Sequence, residues 1–139
     1  MESKFWKDKK VLITGFEGFL GSNLAKRLIA SGARIFGLDI IVKRKGTILA
    51  ADDYRQISVI KGSVADYPLV KKVIKNHRIN VVFHLAAEAI VGKCHIDPLR
   101  AFSTNIEGTW KLLEACRASN VIRSIVIASS DKAYGSHNN

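Results

Sequence analysis

Three glycines, Gly15, Gly18 and Gly21, close the run VLITGFEGFLG (Val11–Gly21), and their spacing is suited to holding a pyrophosphate. Gly15 lets the chain turn sharply out of a strand, Gly18 lets the backbone come close to the phosphates, and Gly21 lets the following helix pack tightly on the sheet. Free N–H groups at the start of that helix face the anion, which the positive end of the helix dipole favours. Asp39 ends the run ARIFGLD (Ala33–Asp39), 24 residues after Gly15. A carboxylate at that place accepts both hydroxyls of an adenosine ribose. It would repel the extra phosphate of NADP, so Asp39 argues for NAD. Lys43, Arg44 and Lys45 follow closely; they either reach a 2′-phosphate, which keeps NADP open, or form a solvated basic loop.

The elements that must position these residues are legible on either side. Val11, Leu12 and Ile13 form a buried strand; Leu20, Leu24, Leu28 and Ile29 recur at helical spacing until Ser31-Gly32 ends the helix. After the second strand, Ala33–Asp39, comes an irregular basic stretch to Gln56, and then a third strand over Ile57–Lys61 that Gly62-Ser63 closes. Asp66 caps a helix whose first turn tolerates Pro68 and whose buried face carries Leu69, Val70, Val73 and Ile74. Asn80–Ala87 reads as a fourth strand, Pro98–Ser119 as the longest helix, and Val121–Ser130 as a fifth strand. Strands alternating with helices imply an α/β doubly wound parallel sheet, the Rossmann arrangement. Right-handed crossovers then bring the strand ends and their loops to one rim, where ligands bind. The glycine loop, Asp39, the end of HLAA and Ser129-Ser130-Asp131 converge there.

Composition bounds the function. The chain has 139 residues, 47% of them hydrophobic, which suits one domain with a real core. No stretch approaches the roughly 20 apolar residues that cross a bilayer, and the start MESKFWKDKK lacks the apolar centre of a signal peptide, so no membrane partner and a cytoplasmic location are expected. Cys94 and Cys116 show neither disulfide nor CxxC spacing and are expected to be reduced; no metal is expected, since Cys94-His95 has no second cluster nearby. The net charge of +10 invites a nucleic-acid reading, but the charges are dispersed and lack interleaved aromatics, so an attraction for anionic nucleotides explains the sign and no nucleic acid is expected. His84 reads as a satisfied core histidine.

With TGFEGFLG (Thr14–Gly21), Asp39, HLAA (His84–Ala87), NIEGT (Asn105–Thr109), LLEA (Leu112–Ala115) and SSDKAYG (Ser129–Gly135) in this order, the chain resembles the extended short-chain dehydrogenase/reductase family along its whole length. The resemblance implies a cofactor-binding Rossmann lobe over residues 1–139 that uses NAD. It assigns Gly15, Phe16, Gly18, Phe19 and Leu20 to the pyrophosphate, Asp39 and Ile40 to the adenosine ribose, and Ser63 and Val64 to the adenine. Ser63 stands where the family usually has aspartate. Leu85, Ala86 and Ala87 line the nicotinamide half, with Ser129 beside the cofactor, Asn105 matches a buried asparagine, and Glu88 and Lys93 fall on the loop where the family admits substrate.

Ser130 matches the hydroxyl that orients substrate. Asp131 and Lys132 follow it where sugar-nucleotide 4,6-dehydratases carry their elimination pair, and Asp-Lys is similar to the CDP-glucose subgroup. Eliminating water from a 4-keto sugar needs an acid for the C6 hydroxyl, a role for Asp131, and a base for the C5 proton; Lys132 serves as that base or as electrostatic support for the enolate. Epimerases have small apolar residues there. Within the resemblance, Tyr134 matches a structural tyrosine; the catalytic Tyr-x-x-x-Lys and the substrate lobe are missing from this chain, which is expected to be an inactive fragment. A nucleotide-sugar substrate for the whole protein and a homodimer through Pro98–Ser119 are further implications, with an epimerase, a reductase or a non-catalytic NAD-binding module as alternatives.

Overall fold

The computed structural model describes residues 4–130, 134 and 135. Five parallel strands, β1 (Lys10–Thr14), β2 (Arg34–Asp39), β3 (Ile57–Lys61), β4 (Val81–His84) and β5 (Ser124–Ile127), form one sheet in the order β3-β2-β1-β4-β5. The order reverses beside β1: the chain runs outward from β1 to β3, then crosses back to place β4 on β1's other edge. That reversal opens a crevice at the carboxyl ends of β1 and β4.

Both faces of the sheet are covered, as a parallel sheet requires. Val11, Ile13, Ile35 and Ile57 pack with Ala25 and Leu28 of α1 (Phe19–Ala30) on one face; Leu12, Phe36, Leu38 and Val82 pack with Val70, Val73 and Ile74 of α3 (Tyr67–His77) and with Leu112, Ala115 and Cys116 on the other. Successive strand residues point to opposite faces, so β1's unbroken apolar run serves both layers. Asp66 caps α3 as expected, its side chain accepting from the backbone of Leu69 at 3.0 Å.

Several boundaries differ from the sequence reading. The basic stretch before Gln56 contains a short helix, α2 (Ala51–Gln56), whose start is held by the Asp53 carboxylate accepting from Ala50 N and pairing with Lys26 of α1. Strand pairing stops at His84, and residues 85–87 leave the sheet as a loop. A further helix, α4 (Val91–Ile96), precedes the long helical segment. That segment is α5 (Pro98–Phe102), a π-helical turn over Ser103–Glu107 and α6 (Gly108–Arg117). The last strand is four residues, Ser124–Ile127, all exposed.

One polar chain crosses the apolar interior. Thr14 Oγ1 accepts from the backbone N–H groups of Leu85 and Ala86, so its own proton is left for His84 Nδ1, 2.7 Å away. His84 Nε2 then donates to Thr109 Oγ1 at 2.9 Å, and the Thr109 hydroxyl donates to the Asn105 carbonyl at 2.8 Å. His84 is thus the satisfied core histidine that its sequence context suggests. Burial pushes its pKa below the usual histidine value, which favours the neutral ring this network needs. An unfolded chain takes up the histidine proton first as pH falls, so this contribution to stability is complete above about pH 6.5 and declines below it. We expect the loss in urea midpoint between about pH 8 and about pH 5.5 to be smaller in His84→Asn than in the parent protein; equal losses would remove His84 from the account.

Candidate functional site

The crevice at the strand ends is a cleft of about 350 Å³. It brings together most of the residues singled out from the sequence: Gly15, Gly18, Phe19 and Leu20 from the first loop, Asp39 and Ile40 from the end of β2, Ser63 and Val64 after β3, and Leu85, Ala86 and Ala87 after β4. These segments are far apart in sequence and meet because four parallel strands end on the same rim.

The glycines fit their roles sterically. Gly15 has φ +71°, and a Cβ there would lie 2.8 Å from the backbone nitrogen of Ala86. A Cβ on Gly21 would lie 2.2 Å from the Gly15 carbonyl oxygen, so helix and loop are in backbone contact. Gly18 differs: it caps α1, no side chain bonds to its helix start, and an added Cβ would come near only the Gly15 carbonyl, at 3.3 Å. The space beside Gly18 belongs to the cleft, and the helix N-terminus opens into it. A phosphate-bearing group fits that cradle.

Asp39 is only 7% exposed. Its Oδ2 accepts from Glu17 N at 3.1 Å and its Oδ1 from Ile41 N at 3.2 Å, which fixes the carboxylate at the cleft wall. Arg44 Nη2 stands 3.9 Å from Oδ1. The basic loop is therefore folded back on the acid, and of its three cations Arg44 reaches the cleft. Ser63 replaces the usual aspartate with a hydroxyl that accepts from Ala65 N, so it shapes the turn as well as lining the cleft.

Four predicted residues stand elsewhere. The Phe16 side chain is fully buried under β2, where a Cβ on Gly37 would meet its ring at 2.5 Å; it supports the loop from below and does not line the cleft. Asn105 is exposed, not buried, because the π-helical turn carries it outward. Its amide nevertheless grips the cleft loop, Oδ1 accepting from Glu88 N at 2.8 Å and Nδ2 donating to Glu88 O at 3.1 Å. Ala128 lines the cleft, but Ser129 and Ser130 just beyond it do not. Asp131 and Lys132 lie outside the described residues.

Glu88 and Lys93 line the cleft, Glu88 from the loop after β4 and Lys93 from α4 rather than from a loop, and Arg100 joins them, its Nε 3.2 Å from the Glu88 carboxylate. Sequence reasoning passed over Glu17, a carboxylate only 2% exposed that accepts from the backbone of Lys43 and Arg44 and from the Tyr54 hydroxyl. Its place inside the glycine motif was the available signal: an acid flanked by Phe16 and Gly18 has little room to reach solvent. Among the described residues no group of three or more His, Cys, Asp or Glu is placed to hold a metal.

Comparison with known proteins agrees with this geometry. The profile of the GDP-mannose 4,6 dehydratase family matches residues 12–139. The chain is 31% identical over 137 residues to CDP-glucose 4,6-dehydratase of Salmonella typhimurium, covering 96% of this chain and 38% of that enzyme. It is 30% identical over 129 residues to a UDP-glucose 4-epimerase of Klebsiella pneumoniae, covering 91% of this chain and 92% of that protein. The fold superposes on UDP-glucose 4-epimerase from Brucella ovis in complex with NAD with a TM-score of 0.78 at 28% identity, covering 94% of this chain and 38% of the other. The chain thus spans about two fifths of the length of the Salmonella and Brucella enzymes. With the switch-point crevice, the glycine cradle and a family match over nearly its whole length, the chain belongs to the extended short-chain dehydrogenase/reductase family, among the NAD-dependent sugar-nucleotide epimerases and dehydratases.

Proposed function

We propose that this chain is the NAD-binding part of a sugar-nucleotide 4,6-dehydratase, with CDP-glucose as the favoured substrate of the whole protein. The observation that carries the NAD assignment is the convergence of Gly18, Asp39 and the Leu85–Ala87 loop on one cleft. In this reading the start of α1 and the backbone of Gly15, Phe16, Gly18, Phe19 and Leu20 hold the pyrophosphate, and Asp39 with Ile40 binds the adenosine ribose. Ser63 and Val64 flank the adenine, and Leu85, Ala86 and Ala87 border the nicotinamide half, with Asn105 holding their loop through Glu88. Bound NAD supplies a hydride acceptor for C4 of the hexose and a donor for C6.

The preference for a dehydratase rests on Asp131 and Lys132 directly after Ser130, supported by the resemblance to the CDP-glucose subgroup. Asp131 protonates the departing C6 hydroxyl and Lys132 removes the C5 proton, while Ser130 orients the sugar. An epimerase or reductase has no use for such a pair, and the similarity to UDP-glucose 4-epimerases keeps that reading as the alternative. Residues 1–139 form the cofactor lobe; a Tyr-x-x-x-Lys and a substrate lobe supplied beyond it complete the enzyme.

A homodimer through the segment Pro98–Ser119 accompanies this reading. Leu99, Phe102, Ile106, Trp110 and Leu113 recur at helical spacing, and all are exposed, Trp110 at 54%. Cys94 and Cys116 are free thiols, and burial raises the pKa of the Cys116 thiol to about 11.

Gly18→Ala should raise the Kd for NAD by about tenfold or more while costing only about 1 kcal/mol of stability, since an alanine cap is poor but the new methyl points into the cleft. Calorimetric titration with NAD beside urea unfolding reads both quantities, and undiminished NAD binding would remove the cradle from the site. In the full-length enzyme, Asp131→Asn should abolish release of water from CDP-glucose yet preserve oxidation at C4, followed as NADH absorbance; a variant that retained 4,6-dehydration would remove Asp131 from the elimination, and a parent enzyme that released no water would favour the epimerase reading. Trp110→Arg should convert a dimer into a monomer in sedimentation experiments, and an unchanged mass would place the interface elsewhere.

A further inference from the structure

The NAD-binding reading leaves unexplained why a carboxylate is buried inside the phosphate loop. Glu17 is neither exposed to the cleft nor paired with a cationic side chain; it is satisfied by donors from two other segments. Its Oε1 accepts from Lys43 N at 2.7 Å and its Oε2 from Arg44 N at 3.2 Å. Lys43 adopts φ +57°, a left-handed conformation uncommon for a residue with a side chain. With it, two successive N–H groups turn toward one point and form a small anion-binding concavity, filled here by the protein's own carboxylate. The Tyr54 hydroxyl on α2 donates from the other side, 2.7 and 2.8 Å from the two oxygens. Burial and the neighbouring Glu17 push the Tyr54 pKa up to about 12, so the phenol keeps the proton it donates. Meanwhile Glu17 N donates to Asp39 Oδ2. One residue thus touches the phosphate loop, the acid at the end of β2, the basic loop after it and α2.

We propose that Glu17 is a positioning residue that sets the choice between NAD and NADP: its buried carboxylate holds the Lys43–Arg44 backbone folded back, which keeps the Arg44 guanidinium engaged with the Asp39 carboxylate and so not free to pair with a 2′-phosphate. This inference deepens the NAD-binding reading and rests on it. Three consequences follow from the geometry. Arg44 is held against Asp39, 3.9 Å away, where it offsets the acid's charge without replacing it. The Lys43 backbone is tied through its N–H, and its side chain stands outside the cleft lining. A second negative charge next to Asp39 adds to the repulsion of a 2′-phosphate in a partly desolvated site. Without Glu17 the basic loop is released, its cations gain access to the ribose edge, and discrimination against NADP falls.

The test compares the Kd values of NAD and NADP by calorimetry in the parent protein, Glu17→Gln, Tyr54→Phe and Leu112→Ala. Leu112 lies in the core cluster on the opposite face of the sheet and serves as the control for lost stability. Glu17→Gln should weaken NAD by about fivefold and lower the NADP/NAD ratio of Kd values by about fivefold or more, and Tyr54→Phe should shift that ratio in the same direction by less. Tyr54→Phe keeps Glu17 itself, so the inference stays testable if Glu17→Gln does not fold. Faster amide exchange at Lys43 and Arg44 in Tyr54→Phe is the accompanying structural signature. If the parent binds NAD and the ratio is the same in every variant, or moves as much in Leu112→Ala, Glu17 is only a structural residue and the inference fails while the NAD reading stands. A parent protein that binds neither dinucleotide overturns both.

Discussion

The structure turns on the backbone contact between the first loop and the segment after β4. Gly15 sits against the Leu85–Ala86 peptide and Gly21 against the Gly15 carbonyl, with no space for a side chain at either place. That contact lets α1 start directly above the end of β1, aiming its N-terminus into the crevice. It also brings the Leu85–Ala87 loop alongside, so the phosphate cradle and the opposite wall of the cleft are set by one approach. The Thr14 hydroxyl reinforces it, accepting from both Leu85 and Ala86 and donating a hydrogen bond to His84 Nδ1. The polar chain from Thr14 through His84 and Thr109 to Asn105 ends at Glu88, so the bottom of the sheet's active rim is connected to the outer helix without an unpaired buried side chain among the described residues.

What was legible in the sequence follows from how locally each feature is encoded. The strands β1, β2 and β3 and the helices α1 and α3 announce themselves because their apolar residues repeat at one period and are bounded by glycine, aspartate or proline. The same locality explains the glycine loop and Asp39, whose roles depend on neighbours in the chain. Asn105 is different: its outward direction depends on a π-helical turn, in which one extra residue per turn rotates every following side chain, and apolar spacing does not reveal that. Strand β4 stops at His84 because Leu85 and Ala86 give their N–H groups to Thr14, a tertiary bond that an apolar run cannot signal. The short α2 was hidden because its start depends on Asp53, which is shared with Lys26 of another helix.

Charge placement shows a similar separation between composition and structure. A net charge of +10 describes a chain rich in lysine, yet the two acids at the end of β2 and in the first loop, Asp39 and Glu17, are among the few buried charged groups of the described residues. Each is held by backbone N–H groups, which stabilise a carboxylate without bringing a mobile cation into the site. The basic residues of the loop are therefore organised by acids they do not fully neutralise. Counting lysines and arginines after β2 would favour NADP; counting donors on Glu17 and Asp39 favours NAD.

The apolar surface has its own internal logic. Ile125, Val126 and Ile127 occupy consecutive positions of β5, so they point alternately to both faces of the sheet, and all three are exposed among the described residues. Apolar side chains on both faces are the composition of a strand covered on both sides. The stripe from Leu99 to Leu113 differs, being apolar along one face of a helical segment and bordered by the charged pair Glu107–Lys111. A one-sided stripe with a polar border fits contact with a single flat partner, whereas a two-sided edge fits enclosure within a larger sheet. The two surfaces therefore differ in kind, a strip along one side of a helical segment against the two faces of an edge strand.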